Sequence, residues 1–224
     1  MYLIADSRAN NFDAKKLYAQ PEDFKVKFCI KRGATVASLC SEFLSKLDTA
    51  KLCARFPIII KIGCGINDFT EFITNKHGEK ELKYSGKTRK EIFEDLLEFK
   101  QAIKNKCPSA LVGFITEAPL SSKIYHDYCK SSGALKFPTQ IEETLNPFQT
   151  KIDTELDALN SLLKFENCNK QKRHTKGCMT VSWHNSVCRQ SKRKNKSGKF
   201  RVVVKNDFRQ LYDGLHATSD LKHK

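Results

Sequence analysis

Residues 57–63 read Pro-Ile-Ile-Ile-Lys-Ile-Gly, a short and nearly unbroken apolar run closed by glycine. A strand with one wet face alternates apolar and polar residues; this run does not, so it predicts a strand covered on both faces, as in the middle of a parallel sheet. The neighbouring segments fit such a sheet. Tyr2–Ala5 is a short apolar run ending in Asp6-Ser7, and residues 110–116 (Ala-Leu-Val-Gly-Phe-Ile-Thr) form another buried strand. Phe24, Val26, Phe28 and Ile30 alternate with Lys25 and Lys27, the pattern of an edge strand with one face partly wet.

Between these runs the period changes to that of a helix. Val36, Leu39, Cys40, Phe43, Leu44 and Leu47 fall on one helical face within 35–47, and Ile92, Leu96, Phe99 and Ile103 do so within 87–106. Residues 117–146, with Pro119, Gly133 and Pro138, predict a loop-rich stretch with room for one short helix. Pro147 then predicts a helix start, followed by the stripe Phe148, Ile152, Leu156, Leu159 and Leu163. Residues 179–183 and 201–204 are candidate late strands on either side of the basic run 189–199. Strands alternating with helices at this spacing predict an α/β fold built on a parallel sheet.

At 224 residues the chain predicts a single domain spanning 1–224, with a basic insertion at about 167–206. The net charge of +15 is concentrated there: residues 167–206 hold twelve Lys or Arg and no Asp or Glu. Such a segment suits a nucleic acid or another polyanion, and it also suits a loop that charge merely keeps solvated. In the first case Lys192, Arg193, Lys194 and Lys196 would meet phosphates and Trp183 would stack on a base of a single strand. Lys192-Arg193-Lys194 also fits a nuclear-import signal.

No stretch reaches the ~18 apolar residues of a membrane span, and Met1–Asp6 lacks a basic leader, so an intracellular chain is expected, cytoplasmic or nuclear. Nine cysteines without a Cys-x-x-Cys pair predict reduced, mostly buried thiols. Cys168, His174, Cys178, His184 and Cys188 lie close in sequence, but their spacing matches no common zinc clamp, and no metal is expected. Without a Gly-rich phosphate-binding motif, no cofactor is expected either. Gly-x-Ser-x-Gly is missing, which argues against a lipase-type nucleophile elbow.

In open α/β sheets, ligands bind beyond the carboxyl ends of the strands. Those ends deliver Asp6-Ser7, Arg32-Gly33 and Gly65-Ile66-Asn67-Asp68, and a late loop delivers Asp213-Gly214-Leu215-His216. A hydroxyl, a histidine to take its proton, a carboxylate to orient that histidine, and amide donors for an oxyanion are what acyl transfer requires. Each piece alone has a plain reading, since Asn, Asp and Gly also simply make turns. Their appearance together and in order is the informative feature.

In these four blocks the chain resembles the SGNH, or GDSL-type, hydrolases, named for a Ser, a Gly, an Asn and a His. Ala5-Asp6-Ser7 matches the first block, with Ala5 where the family has Gly; Gly33, Gly65-Ile66-Asn67-Asp68 and Asp213-Gly214-Leu215-His216 match the others. The resemblance implies a flavodoxin-like three-layer α/β/α sandwich around a central parallel sheet. It implies a small acyl-ester substrate, Ser7 as nucleophile, His216 as base oriented by Asp213, and an oxyanion hole from the N–H groups of Ser7 and Gly33 and the Asn67 side chain. Ala217–Lys224 is shorter than the family's closing helix, so a truncated C-terminal helix is expected. Asp6-Ser7-Arg8 and Gly65–Thr70 look most like animal proteins and the esterase-like domains of some retroelement reading frames. The alternatives to an active esterase are an inactive scaffold of this fold and a nucleic-acid-binding protein using the basic segment.

Overall fold

Four strands line up in parallel: β1 (Tyr2–Asp6), β2 (Lys27–Lys31), β3 (Ile59–Gly63) and β6 (Leu111–Phe114), in the spatial order β2-β1-β3-β6. The computed structural model describes residues 1–6, 27–47, 58–74, 76, 78, 80–131, 142–169, 188–194 and 200–206. The remaining elements are α1 (Val36–Lys46), the antiparallel pair β4 (Thr70–Thr74) and β5 (Lys80–Tyr84), α2 (Arg89–Lys106), α3 (Ser122–Ser131), α4 (Glu142–Asn169), and a second antiparallel pair, β7 (Cys188–Lys194) and β8 (Phe200–Asn206).

The alternation of side chains along β1 and β3 divides the core into two layers. Ile4, Ile60, Ile62 and Phe114 face one side, where they meet Val36, Leu39 and Phe43 of α1, Ile92, Leu96, Phe99 and Ile103 of α2, and Ile152, Leu156, Leu159 and Leu163 of α4. Leu3 and Ala5 face the other side with Ile115 and Ile30, and are buried too. The sheet is therefore covered on both faces, as its apolar sequence requires. Lys61, the one charge in the β3 run, is buried with only 5 % of its surface exposed. β2 lies at one margin of the described sheet, as the edge pattern expects, with Lys27 and Lys31 exposed; Phe28, which that pattern sets with Ile30 on the apolar face, is exposed as well, and 24–26 lie outside the described residues.

Local signals fix the helix ends. Thr35 caps α1 by accepting from the Ser38 N–H at 3.3 Å. Thr88 and Glu91 form a reciprocal capping box at the start of α2, so that helix begins at Arg89. Two expectations need correction, and the hairpin after β3 was not anticipated. The helix expected to start at Pro147 begins at Glu142, and Pro147 lies inside it, where its missing N–H leaves one carbonyl of the preceding turn without its usual donor. The polar stretch after β3 folds into the β4–β5 hairpin, which Phe69 and Tyr84 anchor by stacking with ring centroids 6.4 Å apart. The basic run beginning at Arg189 is strand up to Lys194, paired with β8; the candidate strand at 179–183 lies outside the described residues. Among the described residues, no helix is long and apolar enough to cross a membrane.

Candidate functional site at the strand ends

Register levels the carboxyl ends of three strands. Ala5 pairs with Ile30 on one side and Gly63 on the other, and Asp6 pairs with Lys31. Whatever follows these strands therefore emerges along one rim. Gly63 is held small by its neighbour: an added Cβ would stand 3.3 Å from the Ile115 Cβ. Asp6, the last described residue before Ser7, is buried to within 1 % of its surface.

The second strand runs into the turn at Arg32-Gly33. Gly33 has φ +64°, the left-handed region, and an added Cβ would meet open space, so conformation rather than crowding favours glycine there. The third strand runs through Cys64-Gly65 into a single 3-10 turn, Ile66–Asp68, whose buried Ile66 anchors it to the core. Gly65, at φ +144° and ψ −21°, adopts a conformation that other residues rarely reach.

This turn fastens the Gly33 loop with two side chains. Asn67 Nδ2 donates to the carbonyl of Ala34 at 3.1 Å, and Asp68 Oδ2 accepts from the Val36 N–H at 3.0 Å. The first bond ties the amide to the residue after Gly33. The second places a carboxylate at the first residue of α1, where orphan N–H groups and the helix dipole favour negative charge. Lys87 Nζ lies 3.6 Å from Asp68 Oδ1, and Ser85 Oγ donates to the Asp68 carbonyl at 2.5 Å. Burial raises the Asp68 pKa above the usual carboxylate value; the Val36 N–H and the Lys87 charge pull the other way without cancelling it.

Of the residues singled out from sequence, Gly33 and Asn67 are brought onto one loop pair, 33–36 against 67–68. Ser7, Asp213 and His216 lie outside the described residues, as do Lys196, Trp183, His174, Cys178 and His184. Lys192, Arg193 and Lys194 lie in β7. His126 is on α3 with 12 % of its side chain exposed. Cys64 and Cys107 are buried and Cys29 and Cys40 half-buried, all free thiols. The roles of Asp68, Ser85 and Lys87 are visible only in the fold. An Asp that anchors a helix 32 residues away leaves no local signal, unlike the Thr35 cap.

The fold is shared with solved structures despite low sequence identity. A GDSL-like lipase from Bacteroides thetaiotaomicron superposes with a TM-score of 0.54 at 12% identity, over 99% of this chain and 82% of that one. A Streptococcus pneumonia protein assigned provisionally as a platelet activating factor gives 0.53 at 12% identity, over 99% and 78%. A Bacteroides fragilis protein assigned provisionally as an acylhydrolase gives 0.51 at 13%, over 98% and 79%. No family model matches the sequence, and no curated protein matches it. A parallel β2-β1-β3-β6 sheet flanked by helices, aligned over nearly the whole chain with these structures, gives this protein the fold of the SGNH, or GDSL-type, hydrolases.

Proposed function

We propose that the chain is a serine hydrolase acting on small acyl esters. Ser7 is the nucleophile, His216 the base, Asp213 its orienting carboxylate, and the Ser7 and Gly33 N–H groups with the Asn67 amide receive the oxyanion. The observation that carries the reading is the Asn67–Ala34 hydrogen bond at the level ends of β1, β2 and β3. It joins the second and third sequence blocks in space, beside the strand that leads into the first.

The chemistry follows from the residue types. His216 takes the Ser7 hydroxyl proton as Oγ attacks the acyl carbon, and the carbonyl π pair moves onto oxygen. An amide nitrogen carries two hydrogens. One Asn67 N–H is spent on Ala34, which fixes the side chain; the other serves the oxyanion with no reorganisation at the moment of reaction. The oxyanion collapses, the alcohol leaves with the proton from His216, and water repeats the sequence with His216 as base to release the acid and restore Ser7.

The test is labelling of the full chain by a fluorophosphonate, with the adduct located by peptide mass spectrometry, alongside turnover of short-chain p-nitrophenyl esters. Labelling at Ser7, lost with turnover in Ser7→Ala, is the expected result. A folded protein with no adduct and background turnover across the panel would overturn the reading in favour of an inactive scaffold.

A further inference from the structure

The register of the β7–β8 ribbon sorts its charges. Residues directly opposite in an antiparallel pair share a face, and faces alternate along each strand. Arg189 pairs with Lys205, Ser191 with Val203 and Arg193 with Arg201, so these six positions form one face. The other face carries Cys188, Gln190, Lys192 and Lys194 opposite Asn206, Val204, Val202 and Phe200. The cluster Lys192-Arg193-Lys194, continuous in sequence, is thus divided between the two.

Each cation on the second face stands opposite an apolar residue. On the first face, cation stands opposite cation, twice. Like charges directly opposite destabilise a strand pair. Neither strand contains an Asp or Glu that would offset them. The two pairs are four residues apart along the strand, about 13 Å at the rise of an extended chain. Three of the four cations are Arg, whose planar fork matches phosphate oxygens better than the Lys ammonium does.

We infer that the face formed by Arg189, Arg193, Arg201 and Lys205 binds the phosphate backbone of a nucleic acid. A linear polyanion of regular charge relieves both cation pairs at once, whereas a single small anion would relieve one. Between the pairs this face has Ser191 and Val203 and no aromatic residue, so contact is with phosphates rather than stacked bases, and sequence preference is low. None of these four residues belongs to the proposed ester-hydrolysing set, and the inference stands whether or not the protein hydrolyses esters.

The experiment is fluorescence anisotropy of labelled 20-nucleotide single strands and duplexes, titrated with the full-length protein across a salt series. Wild type is compared with Arg189→Gln/Arg193→Gln/Arg201→Gln/Lys205→Gln and with Lys192→Gln/Lys194→Gln. Thermal melts confirm that each variant folds; removing facing cations should leave the melting temperature equal or higher. Each lost phosphate contact removes about 0.7–0.9 from the slope of log affinity against log salt. The quadruple variant should therefore flatten the slope by roughly three, and the double variant by less than one. The stronger response of single strand or duplex identifies the form bound. Three results would overturn the inference: no binding by wild type at physiological salt, an equal loss per charge in both variants, or tighter binding to vesicles of anionic phospholipid than to either oligonucleotide.

Discussion

Asparagine side chains fasten backbone in two regions of this protein, and they do so differently. At the outer side of β6, Asn167 accepts from the Phe114 N–H at 3.0 Å and donates to its carbonyl at 2.9 Å. Asn160 treats Glu117 in the same way, at 2.7 and 2.9 Å. All four bonds are buried. The spacing matches: seven residues of α4 advance about 10.5 Å, and three extended residues about 10 Å. The two amides stand in for a neighbouring strand. At the strand ends, by contrast, Asn67 is half-buried and, among the described residues, makes one hydrogen bond, from Nδ2 to Ala34. An amide that spends donor and acceptor on one backbone unit is structural. An amide pinned by a single hydrogen is oriented and still has a donor for chemistry.

The sharpest way to break this contrast is to truncate Asn67. If the amide serves the oxyanion, Asn67→Ala loses about 2.7–4 kcal/mol of transition-state stabilisation, a drop of 10²–10³-fold in kcat. Its folding stability should fall by only about 0.5–1.5 kcal/mol, the net value of one hydrogen bond. Ester turnover and urea denaturation on the same preparation separate the two. A variant with near wild-type kcat would make Asn67 a turn residue and nothing more.

The reverse pattern is expected at the sheet margin. Asn167→Leu keeps the volume but leaves the Phe114 N–H and carbonyl buried without these partners, so stability should fall by about 2–3 kcal/mol. Turnover per folded molecule should be unchanged. A loss within 0.5 kcal/mol in denaturant melts would show that water or backbone takes over the role of the amide.

Elements whose cause is local were readable from the sequence. The β3 isoleucines, the α1 stripe closed by the Thr35 cap, and the α2 stripe each carry their own periodicity. The β4–β5 hairpin was not, because Glu71, Lys80, Glu81 and Lys83 leave little apolar alternation, and its anchor is the Phe69–Tyr84 stack. β7 shows the same blindness: Arg-Gln-Ser-Lys-Arg-Lys resembles a solvated loop until β8 supplies the partner strand. At the site, Gly33 and Asn67 were legible as motif positions. What joins them was not, since the bonds from Asn67 to Ala34 and from Val36 to Asp68 bridge more than thirty residues. The β6 latches span 43 and 53.

The smallest expected effect sharpens the same contrast through two buried carboxylates, Asp68 beside the site and Glu155 in the scaffold. Burial dominates at Asp68 and raises its pKa above 3.8. At Glu155 burial also pushes upward, but it is outweighed by the Arg89 N–H, by Lys151 and by the Arg89 charge, and the pKa falls below 4.5. Arg89 N donates to Glu155 Oε2 at 2.9 Å, so this carboxylate holds the start of α2 against α4. The signs follow from which state binds the proton more tightly. With Glu155 the unfolded chain does, so its contribution is present above pH 4.5 and disappears as pH falls through the lowered folded value. With Asp68 the folded chain does, so stability declines as pH rises from 3.8 to the raised folded value and stays lower above it. Melting temperatures measured from pH 2.5 to 7 should therefore diverge in opposite directions. Glu155→Gln should melt below wild type at pH 7 and converge with it in acid. Asp68→Asn, whose amide oxygen can still accept from the Val36 N–H, should gain on wild type as pH rises past 4. If Asp68→Asn instead loses ground over that interval, the Lys87 charge outweighs burial, and the carboxylate beside the site is as much a structural ion as Glu155.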